Sequence, residues 1–274
     1  MPRFAVAHGA PVAGILDSGL TAYPRPAIST SPGGSRGRAF CYPVATMQTL
    51  SHPDIQALCA EESALAAATA SVPLGCATRE VWVRAALGSI GELLDDHAQC
   101  ELKAASNAIA MLGRHPEHDS LVRRMSSLSK EEMLHYRMVR QVLIDRGGRP
   151  TRPTANPYLK AMGRDRLGGP WSLLDDLLVC ALIEARSCER FVALSRGLRS
   201  MEDVEVAQRA ELATFYERLA RSESGHAHVF VALAEEYFAP EKVREELVRR
   251  SGIEATALET LPVTPRMHGG HRRV

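Results

Sequence analysis

Two short segments, Glu132-Met133-Leu134-His135 and Glu223-Ser224-Gly225-His226, each place a carboxylate three residues before an imidazole. On an α-helix that spacing brings both side chains to one face, where together they can grip one side of a metal ion. A lone Glu-x-x-His is commonly a solvated surface pair. What sets these two apart is their surroundings. The first sits in the apolar stripe Leu121, Met125, Leu128, Glu132, His135, Val139, Val142, and the second in Leu212, Phe215, Leu219, Glu223, His226, Phe230, Leu233. Steps of three and four throughout point both pairs into a core.

Two further stripes carry a single carboxylate at the equivalent depth: Leu87, Ile90, Leu94, Ala98, Glu101, Ala105, Ala108, Leu112, and Leu174, Leu177, Ala181, Glu184, Cys188, Phe191. Buried carboxylates are costly unless neutralised or paired, so four of them on four inward faces require a common partner. Two metal cations would supply it.

One Glu from each of two helices, with Glu-x-x-His from each of two others, is the ligand set of ferritin-like di-iron carboxylate bundles. The expected ligands are Glu101, Glu132, His135, Glu184, Glu223 and His226. The expected fold is all-α, a ferritin-like four-helix bundle with a long crossover and an additional C-terminal helix. Carboxylates mixed with imidazoles suit iron or manganese better than zinc, whose structural sites are four-coordinate and richer in Cys or His. Glu189 competes with Glu184 as the third-helix ligand, although Glu184 lies on the more apolar stripe. Glu189 is otherwise expected in a salt bridge with Arg186 or Arg190 beside the site. His97, four residues before Glu101, is placed to hydrogen-bond to it, as partners of metal ligands do. Glu131 lies off the stripe and is expected to be solvated.

The elements that must hold these residues are legible in outline. Helical periodicity begins at Thr78, a candidate N-cap with Glu80 in the first turn, and runs to Gly113. A second helix follows Pro116 and ends near Gly147-Gly148. Prolines 150, 153 and 157 with Gly163, Gly168 and Gly169 mark 149–170 as a long crossover. Ser172 can cap a third helix reaching about Gly197, a fourth spans roughly Val204 to Phe238, and a fifth starts at Pro240. Residues 1–74, rich in Pro, Gly and Ser, are expected to be disordered or to precede the true start near Met47. The helical domain is expected over 75–260, with 261–274 a frayed, flexible tail.

Composition fits this picture. The chain has 274 residues, 45% hydrophobic and 24% charged, enough for a sizeable core. Thirty-three basic residues against 32 acidic ones leave any basic surface local. No apolar run reaches the length of a transmembrane helix. Six cysteines without a C-x-x-C pair suggest a reduced, cytoplasmic setting. Cys100 and Cys188 lie beside the ligand stripes but are expected to be ordinary core cysteines.

The segments Asp96-His97-Ala98-Gln99-Cys100-Glu101-Leu102-Lys103-Ala104-Ala105 and Ile183-Glu184-Ala185-Arg186-Ser187-Cys188-Glu189-Arg190-Phe191 are more specific than spacing. They resemble the tRNA-(2-methylthio-N6-isopentenyladenosine) hydroxylase family, over about Leu74 to Glu259 and including Phe215-Tyr216 and Ser222-Glu223. The resemblance implies a non-haem di-iron monooxygenase that uses O2 and an external reductant. The implied reaction hydroxylates the isopentenyl group of a modified adenosine beside the tRNA anticodon. The implied partners are tRNA and an electron-donor reductase, with no membrane. This chain departs from the pattern in a longer stretch between Ser195 and Leu212 and in Gly225, a helix-weakening residue inside the last motif.

Phosphate contacts require local positive charge. The crossover offers Arg149, Arg152, Lys160, Arg164 and Arg166, with Arg146 beside it, as candidates. The competing readings are another di-iron oxidase, such as a quinone-intermediate hydroxylase or a rubrerythrin-like peroxidase, and a non-catalytic iron-binding bundle. Missing rubredoxin-type Cys pairs weigh against the peroxidase.

Overall fold

The computed structural model describes residues 72–201 and 206–273. The expectation for residues 1–74 thus falls almost wholly outside the described residues, as do Cys41, Cys59 and part of the stretch between Ser195 and Leu212. Among the described residues there are seven α-helices: α1 (Glu80–Leu87), α2 (Ile90–Arg114), α3 (Asp119–Asp145), α4 (Pro157–Met162), α5 (Ser172–Ser200), α6 (Val206–Tyr237) and α7 (Pro240–Thr260). A 3-10 turn at Gly169–Trp171 precedes α5.

The bundle consists of α2, α3, α5 and α6. Two hairpins, α2 with α3 and α5 with α6, pack along their whole lengths, whereas α3 and α6 touch only sparsely. The apolar interior divides into two clusters. One holds Ala108, Met125, Leu128, Leu177, Ala181 and Phe230. The other holds Leu94, Ala98, Val139, Cys188, Phe191 and Leu219. The polar residues of the four stripes lie where one cluster gives way to the other, so a buried hydrophilic layer crosses the middle of an otherwise apolar bundle. A layer of this kind is stable only when its charges compensate one another or a bound cation.

Three local expectations are corrected. The first helical segment is two helices, broken at Gly88-Ser89. Thr78 does not cap α1; its backbone N–H and its hydroxyl both donate to Glu189, at 2.9 and 2.8 Å. Ser172 is the first residue of α5 rather than its cap, since the preceding 3-10 turn already starts the helical path. The break frees α1 to lie against α5, where Gly197 permits the approach: a Cβ there would meet Leu87 Cδ1 at 2.7 Å.

The C-terminal segment also differs from the frayed tail expected. Met267, His268 and His271 are buried. Residues 262–272 fold back on α7 through bonds such as His271 N–H to Leu258 O at 2.6 Å. Gly270 is required there, because a Cβ would collide with Leu261 O at 2.0 Å. Arg190 of α5 donates to the carbonyls of Met267 and Gly269, and the Met267 N–H donates to Asp96 of α2 at 2.9 Å. The segment is held by buried charge-assisted hydrogen bonds, which residue type alone does not disclose.

The crossover is anchored too. Asn156 caps α4 by accepting the Tyr158 N–H, and Pro157 occupies the first turn. Buried Arg250 of α7 pairs with Asp175 and donates to the carbonyls of Met162, Arg164 and Asp165. Arg166 pairs with Asp175 and Asp176.

Candidate metal centre

Four helices meet at the polar layer. Glu101 comes from α2, Glu132 and His135 from α3, Glu184 from α5, and Glu223 and His226 from α6. All six are buried, Glu132 fully. Ligand-capable atoms of Glu132, His135, Glu223 and His226 lie within 4.8 Å of one another.

Both imidazoles turn Nδ1 inward. His226 Nδ1 is 2.8 Å from Glu132 Oε1 and 2.8 Å from Glu223 Oε2. His135 Nδ1 is 3.0 Å from Glu223 Oε1, 3.5 Å from Glu132 Oε2 and 3.8 Å from Glu101 Oε2. A single Nδ1–H cannot serve two carboxylates at once. Both oxygens of Glu132, Oε1 of Glu223 and Nδ1 of His135 are left without a hydrogen bond of good geometry. Buried acceptors left in this condition are rare, and cations would satisfy them together.

The electrostatics agree. Burial, reinforced by Glu223 and Glu132, pushes the Glu101 carboxyl well above the usual carboxylate range. Burial together with Glu132 and Glu223 does the same to Glu184. For Glu132 burial acts upward, but the close imidazoles of His135 and His226 prevail and bring it to about 2. Burial opposes protonation of the histidines, yet Glu132 and Glu223 raise His135 to about 9 and His226 to about 12. Without metal, the four carboxyls are balanced by protons. Metal ions would take the place of those protons.

Each ring's outer nitrogen is held from the opposite helix. Glu131 Oε2 lies 3.1 Å from His226 Nε2, and Ser222 Oγ lies 3.2 Å from His135 Nε2. Glu131 and Ser222 each stand immediately before the glutamate of their own motif, so the two helices hold each other's histidines reciprocally. The expectation that Glu131 is merely solvated is corrected: it is half-exposed, yet it grips His226. The signal was present in the sequence as the residue preceding each Glu, but its partner lies on another helix.

His97 Nε2 is 2.6 Å from Glu101 Oε1. The ring is buried against Phe191 and Tyr216, with centroids 4.8 and 5.8 Å away. Burial and the nearby His135 push it down to about 3, so the imidazole is neutral and its Nε2–H can donate to Glu101. Glu189, by contrast, is not beside the cluster's side chains. It accepts from Thr78 and Arg186, and Arg186 makes a two-pronged pair with Glu254 at 2.8 and 2.9 Å. Glu184 is thus the α5 carboxylate in the polar layer. Residues 184 and 189 face different ways because five residues along a helix turn the chain well past one full revolution. Cys100 and Cys188 form no disulfide among the described residues, the Cys188 thiol donates to Ala220 O at 3.2 Å, and burial pushes Cys100 well above the ordinary thiol range.

Of the crossover cations, Arg149, Arg152, Lys160 and Arg164 are exposed, while Arg166 is engaged with Asp175 and Asp176. No helix among the described residues is long and apolar enough to cross a membrane.

A family model described as tRNA-(MS2IO6A)-hydroxylase (MiaE) matches residues 66–269. The chain belongs to this family. It is 39% identical over 185 residues to a tRNA 2-(methylsulfanyl)-N(6)-isopentenyladenosine(37) hydroxylase of Pseudomonas putida, a match covering 66% of this chain and 85% of the relative. A Salmonella typhimurium protein of the same name is 31% identical over 216 residues, covering 61% and 76%. Among solved structures, a Synechococcus protein with aldehyde deformylating oxygenase activity superposes with a TM-score of 0.64 at 33% identity, covering 73% of this chain and 98% of its own. A MiaE-family hydroxylase on a ferritin-like bundle accounts for both the fold and the buried polar layer.

Proposed function

We propose that this MiaE-family chain is a di-iron monooxygenase that hydroxylates the isopentenyl group of 2-methylthio-N6-isopentenyladenosine next to the anticodon of tRNA. The observation that carries the reading is the convergence of four buried carboxylates and two imidazoles, among which both oxygens of Glu132, Oε1 of Glu223 and Nδ1 of His135 lack adequate partners. That donor set fits two iron ions, held by Glu101, Glu132, His135, Glu184, Glu223 and His226. Irons bound there would supply O2 activation, the chemistry by which O2, a C–H bond, two electrons from an external reductant and two protons become a C–OH group and water.

The chain's own residues do the rest. Glu131 and Ser222 fix the histidine rings from their outer nitrogens, so that Nδ1 stays directed at the carboxylates. His97 holds Glu101 in place while remaining neutral, adding no charge to the layer. Phe191, Tyr216 and the two apolar clusters border the polar layer and limit its contact with water to the α3–α6 side. That low-dielectric setting strengthens the charge–dipole interactions inside it.

The test is nucleoside mass spectrometry of tRNA carrying the prenylated, methylthiolated adenosine, incubated with iron-loaded protein, reductant and O2. A gain of one oxygen atom, absent with Glu132→Ala, is the expected result. The resemblance to an aldehyde deformylating oxygenase gives a second reading, an oxygenase of aliphatic aldehydes. A long-chain aldehyde belongs in the same assay, and turnover of it without any change in the tRNA would replace the first reading with the second.

A further inference from the structure

We propose that tRNA enters the site through the groove between α3 and α6, with Arg123 and Arg124 binding the phosphates that flank the modified nucleoside. The proposal rests on the tRNA-hydroxylase reading and adds where and by which residues the RNA is held.

The two open faces of the bundle are treated differently by the chain. On the α2–α5 face, the C-terminal segment and the crossover form a cover. His268 sits between Cys100 of α2 and Ser187 of α5, at 3.9 and 3.3 Å, and stacks on Tyr158 at 4.7 Å. The crossover is tied to the outer side of α2, where Thr151 and Thr154 bond with Asp95 and Gln99. Arg266 then links the C-terminal segment to Ala155 O and Thr154. These contacts close that face.

On the α3–α6 face no comparable cover intervenes among the described residues. The helices leave a groove of about 540 Å³ whose lining includes Arg123, Arg124, Glu131, Ser222, Gly225 and His226. Its floor therefore reaches a proposed metal ligand and both residues that hold the histidine rings. The volume suits a nucleoside-sized ligand. Gly225 has a specific part in this shape: a Cβ there would meet nothing within 4 Å, so no close packing demands glycine. In mid-helix glycine costs about 0.5–1 kcal/mol relative to alanine. An open groove for a bulky ligand gives the missing side chain a purpose that packing does not.

The rim has the charge a phosphodiester needs. Arg123 is exposed and meets no carboxylate among the described residues. Arg124 is only loosely paired, 3.7 Å from Glu236. The one carboxylate in the lining, Glu131, is engaged by His226. Arginine suits bidentate contact with phosphate oxygens. None of the crossover cations Arg149, Arg152, Lys160, Arg164 or Arg166 lines this groove.

The test uses the iron-loaded full chain and a synthetic anticodon stem-loop RNA containing the prenylated adenosine, with binding followed by fluorescence anisotropy over a range of salt. Arg123→Glu with Arg124→Glu is expected to weaken binding by about 10-fold or more and to lower the salt slope by roughly 1.5–2. Arg152→Glu with Arg164→Glu is expected to stay near wild type. Gly225→Val is expected to keep its iron and lose discrimination between modified and unmodified stem-loops, which separates groove blockage from misfolding. Unchanged RNA binding in the Arg123/Arg124 variant, with hydroxylation intact, would overturn the groove assignment and leave the functional reading standing. Unchanged RNA binding with slower reduction of the irons by an acidic electron-transfer protein would also overturn it, by giving the groove to the electron donor. A wild-type chain with no affinity for the RNA would sink both.

Discussion

Glu131 of α3 holds the outer nitrogen of His226 on α6 across the open face of the bundle, Oε2 to Nε2 at 3.1 Å. The reciprocal contact, Ser222 to His135 at 3.2 Å, is made by a neutral hydroxyl. The two histidines are thus oriented alike but by unlike partners, a carboxylate behind His226 and a hydroxyl behind His135. A carboxylate on the outer nitrogen makes an imidazole a stronger donor through its other nitrogen.

Glu131→Ala should therefore weaken iron binding or turnover by roughly 10–100-fold, the usual consequence of removing a carboxylate behind a ligating histidine. Ser222→Ala should do less, and Glu131→Gln should recover part of the loss. Because Glu131 is half-exposed, the melting temperature of the metal-free protein should barely move. Anaerobic iron titration of the three variants measures this, and equal effects at 131 and 222 would contradict the asymmetry.

Iron binding should release protons and tighten as pH rises. In the metal-free cluster His135 titrates near 9 and His226 near 12, so both rings carry a proton at neutral pH. Ligation requires a bare Nδ1 on each, and about two protons must leave, with more if Glu101 and Glu184 also start protonated. Raised pKa values mean that acid favours the metal-free form, so affinity should fall steadily below neutrality. Calorimetric titration in buffers of different ionisation enthalpy counts the protons; a pH-independent affinity would be inconsistent with the cluster described.

The pair Arg186–Glu254 joins α5 to α7 with both side chains fully buried. Removing one partner leaves an uncompensated charge, so Arg186→Leu should cost about 3–5 kcal/mol. Removing both, as Arg186→Leu with Glu254→Leu, should cost less than the single change. Chemical denaturation of the three proteins gives the comparison, and a double variant less stable than the single would refute it.

The sequence was most informative where chemistry and helical period coincide. Glu132, His135, Glu223 and His226 could be placed in a core because apolar residues at steps of three and four surround them, and Glu101 and Glu184 because their stripes repeat the pattern. That periodicity is local. The partners that orient the site are not: Glu131 finds His226 at a separation of 95 residues, and Arg190 meets the C-terminal carbonyl of Gly269 at 79. The same limit explains the tail. Its glycines and basic residues read as frayed chain until buried Arg190 and Asp96 are seen to meet its backbone. Glu189 shows the converse, a carboxylate on a plausible stripe whose real partners, Thr78 and Arg186, draw it to another side of α5.

The most direct test of the central claim is the iron content of anaerobically reconstituted protein, read by elemental analysis with Mössbauer spectroscopy. The account predicts two high-spin ferrous ions per chain, coupled on oxidation, with loss of iron in Glu132→Ala and Glu223→Ala and little change in Glu189→Ala. A wild-type chain that takes up one iron or none, or that keeps its full complement when Glu132 and Glu223 are replaced, would contradict it.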